Sequence, residues 1–571
     1  MSRSVKLRPW QKRAIEQYLA SPYPDFLAVA TPGAGKTTFA LTAMRLEQAR
    51  SGWRRLLVVV PTQHLKAQWA KAAARFDLHI ETDWAASHGV LPADLDGVAL
   101  TYQQVAANPG ALVELARDAL VVFDELHHAA NERAWGEGVR AAFEGAFRRL
   151  ALSGTPFRSD TSAIPFVRYR LEEAEADFEY GYADALADRR VVRPVYFPRV
   201  GGQMEWSAPD GTLYEATFED PLTRALANQR LRTALSVQGE WLPAVLSQAN
   251  RELMNLRAKA QPDAGGLVIA MDVEHARAIA ALLRDRLGSQ AVVATSDDPD
   301  ASARIARFAG ATTAWMVAVR MVSEGVDIPR LRVGVFATNT TTELFFRQAV
   351  GRLVRWQPIA GAGRQKAFLF IPDDIRLRSF AHQLADQRRH SLRKRREDVD
   401  SPFDAPADPA ALDTFGETEQ LSLFEALSAT PIEVEEESVF DDHGDLDDAD
   451  EGDGVGYDDT ALELTLTPVL RPSSGAKGGS AGFAADPAQA LPHELAGLDP
   501  RQARNRLRDL NAAVVAQVAL VSGQTHAQVN AELNRRVGIR KVTEATMAQL
   551  QKRFTVGRTW LDQDRRGMVR R

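Results

Sequence analysis

The stretch Ala30-Thr31-Pro32-Gly33-Ala34-Gly35-Lys36-Thr37 limits what this chain can fold into more than any other. It follows an apolar run, Phe26-Leu27-Ala28-Val29, short enough for a buried strand. It precedes a helix-prone segment, Thr38-Phe39-Ala40-Leu41-Thr42-Ala43-Met44. Strand, glycine-bearing loop and helix in that order let backbone N–H groups and a helix N-terminus surround a phosphate chain. Thr31, Gly33, Ala34, Gly35, Lys36, Thr37 and Thr38 are therefore the candidate nucleotide-binding residues. Lys36 can reach the β- and γ-phosphates, and the Thr37 hydroxyl is placed to hold Mg²⁺. The strict signature begins with Gly, and here that position is Ala30.

Further apolar runs alternate with helical segments. Leu56-Leu57-Val58-Val59-Val60 ends in Pro61-Thr62, and the helix Leu65-Lys66-Ala67-Gln68-Trp69 follows. A third strand ends at Leu100-Thr101-Tyr102-Gln103, and a fourth, Leu120-Val121-Val122-Phe123, runs into Asp124-Glu125-Leu126-His127. A fifth, Arg149-Leu150-Ala151-Leu152, ends in Ser153-Gly154-Thr155-Pro156. Such alternation predicts a parallel sheet with its site at the C-terminal strand ends. Asp124 at one such end can hold Mg²⁺, because a hard cation takes carboxylate oxygen. Glu125 is placed to orient or deprotonate an attacking water. Gln11, about twenty residues before the loop, either caps a surface helix or reads an adenine edge with its amide.

A second series of strands starts at Gly266-Leu267-Val268-Ile269-Ala270 and runs to Ala367-Phe368-Leu369-Phe370-Ile371, without a phosphate loop of its own. Between them lies Gln348-Ala349-Val350-Gly351-Arg352-Leu353-Val354-Arg355. Arg352 and Arg355 share a face if helical. Paired arginines offered by one domain to a nucleotide on another have the geometry of an arginine finger, with a solvated basic helix face as the plain alternative. The expected division is 1–200 for the first sheet domain, 201–260 for an intervening helical segment, 261–398 for the second sheet domain, 399–498 for an acidic disordered linker and 499–571 for a basic helical module.

Composition narrows the setting. The 571 residues contain no Cys, which excludes disulfides, thiol catalysis and cysteine-held metals. No apolar run is long enough to span a bilayer and the N-terminus lacks a signal-type core, so a cytoplasmic protein without a membrane partner is expected. Residues 433–459 carry fourteen Asp or Glu and no Lys or Arg; removing those charges from the net of −6 leaves the remainder at +8. Basic surface of that kind points to nucleic acid. The run Arg388-Arg389-His390-Ser391-Leu392-Arg393-Lys394-Arg395-Arg396 reads as a solvated helix end or a phosphate contact. Residues 501–571 hold fifteen Lys or Arg against five Asp or Glu. Asp499-Pro500, Gly523, the capping box Thr525-x-x-Gln528 and Gly538 bound two of that module's three helices.

In order and spacing these segments resemble superfamily-two helicases over Arg8 to about Ile371. Ala30–Thr37 is similar to motif I and Asp124-Glu125-Leu126-His127 to motif II in its DExH form. Ser153-Gly154-Thr155-Pro156 is similar to motif III, Glu324-Gly325-Val326-Asp327-Ile328-Pro329 to motif V, and Gln348-x-x-Gly351-Arg352-x-x-Arg355 to motif VI. Pro61-Thr62-x-x-Leu65-x-x-Gln68-Trp69 and Thr101-Tyr102-Gln103 look most like the XPB/RadD branch. The resemblance implies an α/β protein with two RecA-like parallel-sheet domains in tandem, using ATP and Mg²⁺. It implies Arg8 and Gln11 near the adenine, Lys36 and Thr37 at phosphates and cation, Asp124 at the cation and Glu125 at the water. Gln348, Arg352 and Arg355 would face the γ-phosphate, with Gly325 and Asp327 close by. Thr62, Thr101 and the Ser323 loop would touch a nucleic-acid backbone; His127, Ser153 and Thr155 would couple hydrolysis to domain movement. The implied activity is an ATP-dependent DNA helicase or translocase in DNA repair, recombination or phage-related DNA metabolism. An RNA helicase, an ATP-switched DNA-bound scaffold and a restriction-type motor subunit are the alternatives, and the C-terminal module is a candidate for binding a protein partner.

Overall fold

The computed structural model describes residues 3–85, 87, 90–126, 133–154, 164–170, 173–188, 191–208, 211–295, 298, 300–319, 328–357, 365–397, 425–432, 462–466, 495, 498 and 500–569. Two parallel-sheet α/β bodies follow one another. In the first, seven strands lie in the order Phe178–Tyr180, Asp25–Ala30, Arg148–Ser153, Leu120–Asp124, Leu56–Val60, Gly97–Thr101, Ile80–Glu81. Every pairing along it is parallel. Its central strands are buried throughout, as strands covered by helices on both faces are. The strand Arg148–Ser153 separates the phosphate-loop strand from the strand that ends in Asp124. The C-terminal end of that intervening strand therefore opens between the two halves of the site.

The second sheet follows the path Leu213–Thr217, Arg199–Ser207, Ala367–Pro372, Leu331–Ala337, Gly265–Ala270, Trp315–Val319, Ala291–Ala294. Residues 199–207 and 213–217, expected within or beside a helical insert, are thus strands of this sheet, and the helices Arg224–Ala234 and Trp241–Lys259 pack on it. The period-two signal is present in Gln203-Met204-Glu205-Trp206, whose residues alternate exposed and buried. Gly201-Gly202 masks it. A Cβ on Gly202 would stand 2.7 Å from the Trp241 ring, so a residue that reads as a turn marks close packing instead.

Two parts of the segment expected as a linker are strands. Glu425–Ile432 pairs antiparallel with Arg199–Ser207, and Leu462–Leu466 pairs antiparallel with Arg3–Leu7. Apart from Leu495 and Leu498, the rest of 399–498 lies outside the described residues. Arg388, read as part of a solvated or phosphate-facing run, is buried: it donates to the Val195 carbonyl at 2.9 Å and lies 4.1 Å over the Tyr196 ring.

The C-terminal module is the three helices Pro500–Ser522, His526–Val537 and Met547–Val569. Thr525 caps the second, and Gly538 ends it in the left-handed conformation at φ 74°. Buried Arg553 ties the three helices together through Asn511, Asn530 and Asn534. The module docks on the edge of the first sheet, where Asp94 receives Arg504 and the Met547 N–H, and Glu81 pairs with Arg508. Among the described residues no helix is long and apolar enough to cross a membrane.

Candidate nucleotide site between the two sheets

The phosphate loop turns on two glycines in the left-handed region, Gly33 at φ 83° and Gly35 at φ 96°. That conformation points successive N–H groups inwards and costs glycine little. Ala34 is fully buried behind them. The loop's outer side is held by the N-terminal helix Pro9–Ala20. Arg8 donates to the carbonyls of Gly33 (3.2 Å) and Ala34 (2.7 Å), Trp10 to Ala34 (3.1 Å) and Gln11 to Gly35 (2.9 Å). Trp10 stacks on Tyr180 at 4.9 Å, which fixes the helix to the outer strand. The amide of Gln11, read as either a helix cap or an adenine contact, serves as the cap and holds the loop: its oxygen accepts the N–H of the N-cap Arg8 at 2.8 Å while its nitrogen donates to Gly35. Burial lowers the Arg8 pKa, and Tyr180 and Asp188 oppose that shift.

Lys36 Nζ donates to Glu125 Oε1 at 2.7 Å, and the other oxygen of Glu125 accepts the Gly154 N–H at 2.9 Å. One carboxylate thus bridges motifs I and III. Glu125 has φ 48°, an unusual conformation for a residue with a side chain and a form of local strain found at functional sites. A Cβ on Gly154 would lie 3.1 Å from Lys36 Nζ and 3.4 Å from Glu125 Oε1, so only glycine leaves the approach open.

Asp124 is turned the other way. Its Oδ2 accepts the Trp69 indole N–H at 2.8 Å, and its backbone carbonyl accepts the Tyr102 hydroxyl at 3.0 Å. Burial, then repulsion from Glu125, raises its carboxyl to about 6, against the pull of Lys36 and of the Trp69 N–H. Because this folded-state value lies above the ordinary 3.8, the folded protein binds the proton more tightly than the unfolded chain does. The buried carboxylate therefore costs stability progressively as pH rises through that interval, and the cost is constant above it. Asp124→Asn should stabilise the ligand-free protein by up to about 3 kcal/mol near pH 8, with the gain gone by about pH 4. Denaturant midpoints across that range test this, and a pH-independent difference would contradict it.

The second domain reaches the same place. Gln348 and Arg352 lie on one face of the helix Glu343–Leu353, and Arg355 follows just past its end. A Cβ on Gly351 would meet Pro32 Cγ at 2.7 Å, and one on Gly33 would meet Arg355 Cγ at 3.2 Å. The motif VI segment is therefore seated directly on the phosphate loop. Val192, on the chain between the domains, bridges to Arg355, and the Arg193 N–H donates to the Val354 carbonyl at 2.6 Å.

Other expected residues fall elsewhere. Thr62 and Thr101 begin the helices Gln63–Ala74 and Tyr102–Ala107, at the C-terminal edge of the first sheet. Thr101 is buried, with its hydroxyl accepting the Gln104 N–H at 3.2 Å, so that hydroxyl is committed within the fold. Ser153 is buried at its strand end. His127, Thr155, Ser323, Gly325 and Asp327 lie outside the described residues. Sequence reasoning passed over Trp69, Tyr102, Gly154 and Pro32 as site residues. A polar-edged aromatic inside an apolar helix pattern was the available signal for the first two.

Thr37 and Asp124 are the oxygen donors that could hold a divalent cation. Among the described residues no group of three or more His, Cys, Asp or Glu could hold a metal alone.

Residues 4–158 match the family described as type III restriction enzyme, res subunit. "Uncharacterized protein MT2985" of Mycobacterium tuberculosis is 41% identical over 577 residues, covering 96% of this chain and 92% of that one. "DNA 3'-5' translocase XPB2" of Sulfurisphaera tokodaii is 28% identical over 160 residues, 27% of this chain and 32% of that protein. Among solved structures, the ATP-dependent Type ISP restriction-modification enzyme LlaBIII bound to DNA superposes with a TM-score of 0.46 at 14% identity, covering 67% of this chain and 30% of that one. A phosphate loop and an acid on one parallel sheet, met by arginines from a second, define the class of tandem-sheet ATP-using proteins. The chain belongs to the superfamily-two helicases, in one family with the mycobacterial protein that it matches nearly end to end.

Proposed function

We propose that the protein is an ATP-dependent DNA helicase or translocase acting in DNA repair, recombination or phage-related DNA metabolism in the cytoplasm. The observation that carries this reading is the seating of Gly351 and Arg355 against Pro32 and Gly33, which makes each domain supply part of one site. Lys36 leaves Glu125 for the β- and γ-phosphates. Glu125 then accepts a proton from the water whose oxygen attacks the γ-phosphorus while the bridging P–O bond breaks. Arg352 and Arg355 stabilise the charge that develops on the transferring group. Mg²⁺, held by Thr37 and Asp124, would neutralise phosphate charge. Loss of the γ-phosphate contacts lets the domains separate, and alternate gripping of a strand backbone becomes stepping.

DNA is favoured over RNA by the similarity to an archaeal DNA translocase. The res-subunit match over the first domain favours a second reading, a restriction-type motor subunit that works with a partner. ATP turnover measured with single-stranded DNA, duplex DNA and RNA, alongside strand displacement, separates these readings. Stimulation by RNA alone would overturn the DNA assignment; turnover and binding without displacement of a strand or a bound protein would favour a scaffold. Gly351→Val should reduce turnover by about a hundredfold, since about 1 Å of misplacement has that effect on a positioned site. Circular dichroism should remain that of the parent, and wild-type turnover in that variant would refute the joint site.

A further inference from the structure

Two buried aromatic residues outside the phosphate loop hold Asp124: one stands on the helix that begins at the candidate strand-contact residue Thr62, the other on the helix that Thr101 caps. Trp69 lies two helical turns, about 10 Å, past Thr62, is 2% exposed, and its indole N–H donates to Asp124 Oδ2 at 2.8 Å. Tyr102 immediately follows Thr101, is fully buried, and donates its hydroxyl to the Asp124 carbonyl at 3.0 Å. The two helices are also tied to each other. Lys66, 3% exposed, donates to Gln104 Oε1 at 3.1 Å, and the same oxygen accepts the Thr101 N–H at 2.9 Å. Thr62, Lys66, Gln104 and Thr101 thus form one side of a closed frame, and Trp69, Asp124 and Tyr102 the other.

A buried indole N–H needs an acceptor, and a backbone carbonyl at the sheet rim would satisfy it. This one instead takes the carboxylate oxygen of the candidate cation ligand, at the end of the strand that neighbours the one its helix follows. The Trp69 bond to the buried carboxylate is charge-assisted and directional, and the Tyr102 bond fixes the backbone carbonyl of the same residue, so displacement of either helix is passed to Asp124.

We infer that Trp69 and Tyr102 are positioning residues that transmit strand contact at the Thr62 loop to Asp124, Trp69 directly and Tyr102 through the Lys66–Gln104 tie, so that nucleic acid sets the cation affinity of the ATP site. The inference rests on the proposed function and deepens it. Neither aromatic touches the nucleotide; both act through Asp124. Linkage makes the effect reciprocal: a strand that tightens cation-bound nucleotide must itself be held more tightly by the nucleotide-bound protein.

The test uses full-length Tyr102→Phe, which removes one oxygen atom, and Trp69→Phe, which removes the N–H and part of the ring. Two quantities are measured: the Mg²⁺ concentration for half-maximal ADP binding, by calorimetry, and the ratio of DNA-stimulated to basal ATP turnover at saturating Mg²⁺. Each variant should need about tenfold more Mg²⁺ and lose about tenfold in stimulation, the scale of losing one buried hydrogen bond. Nucleotide-free DNA binding should stay near that of the parent. Unchanged Mg²⁺ requirement in Tyr102→Phe overturns the inference, as does an equal fall of basal and stimulated turnover. Failure of the parent protein to respond to any nucleic acid sinks the proposed function instead, and the calorimetric arm still reads the hold on Asp124.

Discussion

Lys36→Ala should lower ATP turnover at least about a thousandfold while leaving the fold intact. The ammonium meets the Glu125 carboxylate at the phosphate loop, and phosphoryl transfer depends on positioned positive charge more than on covalent chemistry. The effect on stability should be small for a stated reason. The Lys36–Glu125 pair is only partly buried, its side chains 12% and 27% exposed, so its loss strands no charge in a dry interior. Glu125 also keeps the Gly154 N–H. Turnover measured beside a thermal melt decides the matter: wild-type turnover refutes the site, and a collapsed melt refutes the claim that the pair is dispensable for folding. The pair has a further consequence. With Lys36 occupied by Glu125, nucleotide must first draw the lysine away, and the carboxylate is thereby released for the water.

Arg352→Ala should reduce turnover by about 10³ to 10⁵, the range for removing an arginine finger, yet leave nucleotide affinity within a few fold. The separation follows from the architecture. The loop with its inward N–H groups belongs to the first domain, whereas Arg352 stands on the helix Glu343–Leu353 of the second. Arg352→Lys should recover little, because an ammonium keeps the charge and loses the planar fork that spans two phosphoryl oxygens. Fluorescent ADP binding measured with turnover distinguishes the outcomes. Loss of binding together with turnover would mean that Arg352 holds the ground state and has no finger role. Arg355 is a poorer probe, since its stem packs against Gly33 and its truncation also loosens the loop.

Sequence by itself determined the strand–loop–helix at Ala30–Thr37, the acid pair at a strand end, the second series of buried strands and the Thr525 and Gly538 caps of the middle C-terminal helix. All of these are written within windows of about ten residues, where apolar periodicity, glycine and capping chemistry act locally. Only the tertiary structure decided what those pieces meet. Glu125 bridges Lys36 and Gly154, which lie 89 and 29 residues from it. Asp124 is held by Trp69 from 55 residues away, and Glu425–Ile432 joins a strand more than 200 residues before it. Gln11 shows the same limit from the other side, since its amide chemistry was legible while its commitment to the Gly35 carbonyl was not. Contacts across such separations depend on which sheet edges and helix faces come together after loop closure, a property of the whole packed chain that no local window contains.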